Sequence, residues 1–191
     1  MAKAENKEEI KIFLYGDSVL RKECKPVKDG DPQLRETLNR MARKMYDRSG
    51  IGLAAPQVGI SQRFVICDVD WFNDENGKKP KRRLHVLINP EIVEESTEDG
   101  PFVEGCLSIP GVEGEVFRPL EVTVKYQDLH FRWRTRKYTG LLARVVQHEL
   151  DHLDGKLFVD RMSFVKRKML AGALNRIKQQ KVAYDSSSVN L

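Results

Sequence analysis

The sequence is poor in the residues that staple or anchor a chain. It holds 3 cysteines in 191 residues, at positions 24, 67 and 106, with no paired spacing. That excludes a disulfide scaffold and suits a reducing compartment. No apolar run approaches the roughly 20 residues that span a membrane. The opening stretch, Met1 to Ile10, carries charges of both signs and no apolar core. It does not read as a secretory signal, and it is too acidic for a transit peptide. A bacterial cytoplasmic protein is the expectation, with a processed organellar form as the alternative. Internal repeats are absent. The net charge of +5 is mild; it permits an RNA-rich neighbourhood but implies no sequence-specific nucleic-acid binding. A hydrophobic fraction of 40% beside 32% charged residues describes one globular domain with a real core.

Histidine is also scarce, with 4 in the chain, yet two stand together in Gln147-His148-Glu149-Leu150-Asp151-His152. Side chains four residues apart lie one above the other on a helix, so both imidazoles can reach one metal ion. Glu149 follows the first histidine and points to one side, placed to handle a proton without being a ligand. This H-E-x-x-H pattern is the signature of a metal-assisted amide hydrolase. Leu141 and Val145 share the histidine face, and Leu142, Val146 and Leu153 form a second apolar edge. A helix apolar over most of its circumference is buried. Thr139 is placed to cap its start and Gly155 to end it.

The motif supplies two ligands and leaves the third open. An H-x-x-G-x-x-H extension fails, because Phe158 stands where the last histidine belongs. After Glu149 there is no glutamate, and after His152 no histidine. Asp154 and Asp160 remain as downstream candidates. Upstream, Cys67 falls on the same side as Val65 and Val69 as a core residue of a strand, and Cys24 sits among charges and reads as surface. Cys106 lies in Val103-Glu-Gly-Cys-Leu-Ser-Ile-Pro-Gly111, read as irregular chain able to bring a thiolate and backbone N–H groups to a metal. His85 and His130 fall in strand and turn positions and are not taken as ligands.

Three segments together resemble the peptide deformylase family. They are Gly50-Ile-Gly-Leu-Ala-Ala-Pro-Gln57, Glu104-Gly-Cys-Leu-Ser108 and Gln147-His-Glu-Leu-Asp-His-Leu-Asp-Gly155, in the family's order. The resemblance runs from about Ile12 to about Met162, with Ser18 replacing a usual proline in a turn. It implies Cys106, His148 and His152 as metal ligands, with a fourth position left open for water. Glu149 is then the general base that becomes the acid. The side-chain amide of Gln57 and the backbone N–H of Leu107 are the oxyanion donors. Ile51 and Gly52 hold the substrate backbone as an added strand. The substrate implied is an N-formylmethionyl nascent peptide, cleaved to formate and a free amine. Fe2+ is the expected native ion, with Zn2+, Ni2+ or Co2+ as substitutes, all compatible with one sulfur and two imidazoles. Arg118 is a candidate partner for Glu104, bracing the cysteine loop. An endopeptidase using the same helix and a non-catalytic metal-stabilised ribosomal module are the competing readings.

The rest of the chain supplies the frame. Ile10–Leu14 reads as a short strand. A helix is predicted from Pro32 to Arg48, with Leu34, Leu38, Met41 and Met45 on one stripe. Gly50-Ile-Gly-Leu-Ala-Ala55 also fits a dinucleotide fingerprint, but a helix precedes it and Pro56 follows, so a glycine-thinned loop is the better reading. Strands are predicted at Arg63–Asp70 and Leu84–Ile88, with a polar, mobile connection between them. Leu120–Gln127 and Phe131–Tyr138 form a hairpin, and Lys156–Val159 a short extended piece. A basic helix over 163–182 is expected, since no acidic residue occurs from Ser163 to Tyr184; the resemblance makes it a candidate ribosome contact. The expected organisation is a flexible 1–9, one catalytic domain over 10–184 and a disordered tail over 185–191. By resemblance the fold is α+β, antiparallel sheets around the buried ligand helix with a helix at either end.

Overall fold

The computed structural model describes residues 10–71 and 82–187, with the side chains of 181–187 left aside. The polar connection lies largely outside the described residues, as do the N-terminal nine and the last four.

The most apolar strand sets the layering. Phe64-Val-Ile-Cys67 is strand β2, and all four residues are buried. Successive side chains on a strand point to opposite faces. Phe64 and Ile66 accordingly pack in one core cluster, Val65 and Cys67 in another. On the first face lies helix α1 (Leu34–Asp47), which buries Leu34, Leu38, Met41 and Met45. On the second lies helix α2 (Gly140–Leu153), represented by Val145, Val146, Leu150 and Leu153. The strands β1 (Gly52–Ala54), β3 (His85–Glu95), β6 (Glu121–Gln127) and β7 (Trp133–Thr139) complete a five-stranded antiparallel sheet in the order β1-β2-β3-β6-β7. Strand β1 is an edge. Strands β4 (Asp99–Cys106) and β5 (Ile109–Pro119) form a separate two-stranded sheet. A third core cluster joins β5 to the C-terminal helices through Ile109, Val116, Phe158, Leu174 and Ile177. The α+β architecture around a buried ligand helix is the expected one.

Local differences have local causes. Helix α1 starts two residues after Pro32, with the Asp31 carboxylate accepting from the Gln33 N–H at 2.9 Å. Ile10–Leu14 forms no strand. Its extended run instead bridges two loops, Phe13 N–H donating to Gln57 O and Tyr15 N–H to Ser108 O, each at 2.8 Å. Thr139 sits at the N-terminus of α2, but its side chain makes no capping bond. Gly155, at φ +69°, does end that helix; a Cβ there would lie 2.7 Å from the Arg21 carbonyl oxygen. Leu141 is 41% exposed rather than inward, because its end of α2 opens on a cleft.

Cys24 is buried, not on the surface: its N–H bonds Leu153 O at 2.8 Å, and the charges flanking it in sequence point outward. The extended piece predicted at Lys156–Val159 ends in a helical turn, α3 (Phe158–Arg161), where Asp160 accepts from the Leu157 N–H at 2.9 Å. The basic helix is broken at Leu170 into α4 (Phe164–Met169) and α5 (Ala171–Ser187), so helix continues three residues into the stretch read as a tail.

Candidate metal centre and cleft

Helix α2 and the β4–β5 hairpin build the site between them. Along β4, Glu104 and Cys106 are two residues apart and therefore share a face. The hairpin closes at Leu107-Ser108, with Cys106 paired to Ile109 and a register shift that leaves Pro110, Gly111 and Val112 in a bulge. The segment read as irregular chain is thus a bulged hairpin tip, and it carries the thiol to the helix.

Cys106 Sγ lies 3.3 Å from His152 Nε2. The ligand-capable atoms of Cys106, His148 and His152 all lie within 4.8 Å of one another, the one such cluster among the described residues. A tetrahedral ion with a metal–sulfur bond of about 2.3 Å and metal–nitrogen bonds of about 2.0 Å sets sulfur and nitrogen roughly 3.5 Å apart. The donors fit that spacing. Glu149 Oε2, buried beside them, has no protein partner, and neither has His152 Nδ1 on the ring edge away from Cys106. Leaving a buried polar atom unsatisfied is unfavourable, so the cluster is built to hold something further. A divalent-metal site fits these residues.

Behind the ligands runs a buried charged network. Glu104 Oε2 meets His148 Nδ1 at 2.8 Å, which turns the other ring nitrogen toward the cluster. Arg118, 2% exposed, grips Glu104 through Nε at 2.7 Å and Nη2 at 2.9 Å, and reaches Asp151 with Nη1 at 2.6 Å. Asp151 also accepts from Arg161 Nε at 2.8 Å. Arg144 donates to Gly100 O at 2.7 Å, and Gln147 to Pro119 O at 2.9 Å. Burial alone would raise the Glu104 pKa, but the hydrogen bonds from His148 and Arg118 bring it down to about 2, so it is a carboxylate. Burial pushes the Glu149 carboxyl up to about 7 and lowers the His152 imidazole well below its ordinary value.

The cleft in front measures about 1140 Å³. Its wall includes Ile51, Gly52, Gln57, Cys106, Leu107, His148 and Glu149. Gln57 is held by its own turn: Oε1 accepts from the Ala54 N–H at 2.8 Å, and Nε2 donates to Ser108 Oγ at 3.2 Å and to Cys106 Sγ at 3.4 Å. The glycines have internal duties. A Cβ on Gly52 would lie 2.3 Å from Glu149 Oε1, and one on Gly50 would lie 2.8 Å from Leu107 Cδ1. They make room for two site residues of this same chain.

The other candidates lie elsewhere. Asp154 pairs with Arg63 at 2.7 Å, and Asp160 with Arg21 and Arg167. His85 faces Arg136 at 3.3 Å, and His130 is exposed in a turn. The tie between Asp151 on α2 and Arg161 on α3 has no sequence signal.

The sequence model of the family described as polypeptide deformylase matches residues 10–168. The peptide deformylase of Christiangramia forsetii is 41% identical over 179 residues, covering 91% of each chain. Among solved structures, peptide deformylase from Plasmodium falciparum superposes with a TM-score of 0.80 at 35% identity, over 95% of this chain and 99% of that one. A plant peptide deformylase superposes at 0.84 with 32% identity, over 100% and 97%.

Replacing Arg118 by Met takes one charged partner from each of the buried carboxylates Glu104 and Asp151. Removing one member of a buried ion pair typically costs about 3–5 kcal/mol. Arg118→Met is expected to lower unfolding free energy by about that much and to reduce bound metal, read by denaturant titration and elemental analysis.

Proposed function

This chain belongs to the peptide deformylase family and is a metal-dependent amidase that removes an N-formyl group, and we propose how its residues divide that work on an N-formylmethionyl nascent peptide. The carrying observation is the meeting of Cys106, His148 and His152 beside a buried Glu149 oxygen that has no protein partner. We assign the ligand role to those three side chains and Fe2+ as the native ion, with Zn2+, Ni2+ or Co2+ able to replace it in a donor set of one thiolate and two imidazoles. When bound, the cation supplies Lewis acidity and a water nucleophile at neutral pH.

Glu149 accepts the proton of the attacking water and returns it to the amine that leaves with the peptide. Its buried setting and close fit against Gly52 support that role. Gln57 Nε2 and the Leu107 N–H are the donors to the oxyanion that forms at the formyl oxygen as water adds to the formyl carbon. Support for Gln57 is that its amide oxygen is already engaged by Ala54, which orients its N–H groups toward the Cys106 side of the cleft. Support for Leu107 is its place in the turn directly after a ligand. Ile51 and Gly52 hold the substrate backbone. They stand at the start of an edge strand on the cleft wall, where an added strand finds unpaired backbone groups.

Glu149→Ala is expected to keep its metal and lose deformylation by at least about a hundredfold. Formate release from formyl-Met-Ala-Ser under anaerobic conditions, with metal analysis on the same sample, checks this; near-normal turnover refutes the assignment of the base. Cleavage of unformylated protein would favour the endopeptidase reading.

We further propose that this work takes place in the bacterial cytoplasm, in keeping with the bacterial source of the curated relatives, and that the basic C-terminal helices face the ribosome. Lys166 and Arg167 are committed to Glu115 and Asp160, so the charge left for a partner centres on residues such as Lys168 and Arg176, both exposed. Deleting the helix would strip Leu174 and Ile177 from the core, so charge reversal is the cleaner test. Lys168→Glu with Arg176→Glu is expected to weaken ribosome co-sedimentation while peptide turnover stays unchanged, and unaltered co-sedimentation retires the idea.

A further inference from the structure

The segment Gly50–Gly52 is gripped from behind by residues that do not line the cleft. Trp71 Nε1 donates to the Gly50 carbonyl oxygen at 3.0 Å. The next carbonyl, Ile51 O, accepts from the Asp68 N–H at 2.9 Å. The two anchors are joined to each other through helix α1. The Trp71 ring meets Tyr46 edge-on, centroids 5.3 Å apart and planes at 80°, and the Tyr46 hydroxyl donates to Asp68 Oδ2 at 2.7 Å. Asp68 is fully buried, and its carboxylate also accepts from the Asp70 and Arg83 N–H groups, at 3.1 and 2.8 Å.

A trans peptide unit is planar, and its C=O and N–H point in opposite directions. Fixing the Gly50 carbonyl therefore fixes the Ile51 N–H, which belongs to the same unit. Fixing the Ile51 carbonyl fixes the Gly52 N–H in the same way. From this geometry we propose that Trp71 is a positioning residue for substrate: its indole N–H, by holding Gly50 O, aims the Ile51 N–H at the peptide in the cleft. The inference rests on the reading that Ile51 and Gly52 hold the substrate backbone. Trp71 touches no reacting atom, so its effect falls on binding and not on the chemical step.

Trp71→Phe keeps an aromatic ring against Tyr46 and removes the indole N–H donor. Two substrates separate the possibilities: formyl-Met-Ala-Ser, which has backbone beyond the first residue, and formyl-Met-amide, which has none. The wild-type protein is expected to favour the tripeptide. In Trp71→Phe the KM for the tripeptide should rise about three- to tenfold, as for loss of one hydrogen bond. Its kcat should stay within about twofold, and the constants for the amide, the metal content and the Tm should hold. An unchanged tripeptide KM, or an equal loss on both substrates together with a fall in Tm, overturns the proposal. If the wild-type protein shows no preference for the tripeptide, the substrate-strand reading fails first and takes this inference with it.

Discussion

A single guanidinium holds the site together. Arg118 lies between Glu104 of the two-stranded sheet and Asp151 of the ligand helix, out of contact with water. Taking three charges into a protein interior is unfavourable unless they are closely paired, and apolar replacements of similar volume are often as stable. Adhesion alone therefore does not account for this network. What it contributes is geometry: the hairpin has one depth and one register at which Glu104, Arg118 and Asp151 are all satisfied, and at that depth Cys106 meets the histidines. Arg144 and Gln147 add backbone contacts from the same helix to Gly100 and Pro119 at the far end of the hairpin.

The same carboxylate that receives Arg118 also receives His148 Nδ1. Fold and metal site are thereby coupled through one residue. A histidine whose outer nitrogen is engaged presents its other nitrogen in a fixed direction, and ligands held in this way need little rearrangement to accept an ion. Gln57 is fixed in a comparable manner by Ala54 and Ser108, and the chain before β1 braces both loops through Phe13 and Tyr15. Glu104 and Gln57 are thus each aimed by groups behind them, whereas His152 Nδ1 and Glu149 Oε2 have no protein partner.

Much of this was legible in the sequence where short-range geometry decides. Two histidines at helical spacing, a strand with alternating faces and a glycine after a helix each carry their own physical warrant, and all three stand in the structure. Glu104 and Cys106 share a face because they are two apart on a strand, and the expected pairing of Arg118 with Glu104 is present. Most misreadings arose where tertiary contacts outweigh local pattern. Ile10–Leu14 has strand composition but finds loop carbonyls instead of a strand partner. Cys24 is surrounded by charges in sequence and buried in space. The turn at Phe158 follows from Asp160 reaching back to Leu157, which an apolar stretch of four does not announce. The run Gly50–Ala55 reads as a glycine-thinned loop, but Gly52–Ala54 pairs with β2 as a strand, and the glycines at 50 and 52 make room for Leu107 and Glu149. The arrangement of the two sheets about α2 came from resemblance, since periodicity fixes elements and not their packing.

The central claim is that one cysteine from a hairpin tip and two histidines from a buried helix hold a single ion and leave it a free position. X-ray absorption at the metal edge of anaerobically purified protein tests this most directly. The account predicts one sulfur and two imidazole nitrogens in the inner shell, with one further light atom that exchanges with solvent or a small anion. A shell without sulfur, or one closed by a fourth protein ligand, would contradict it.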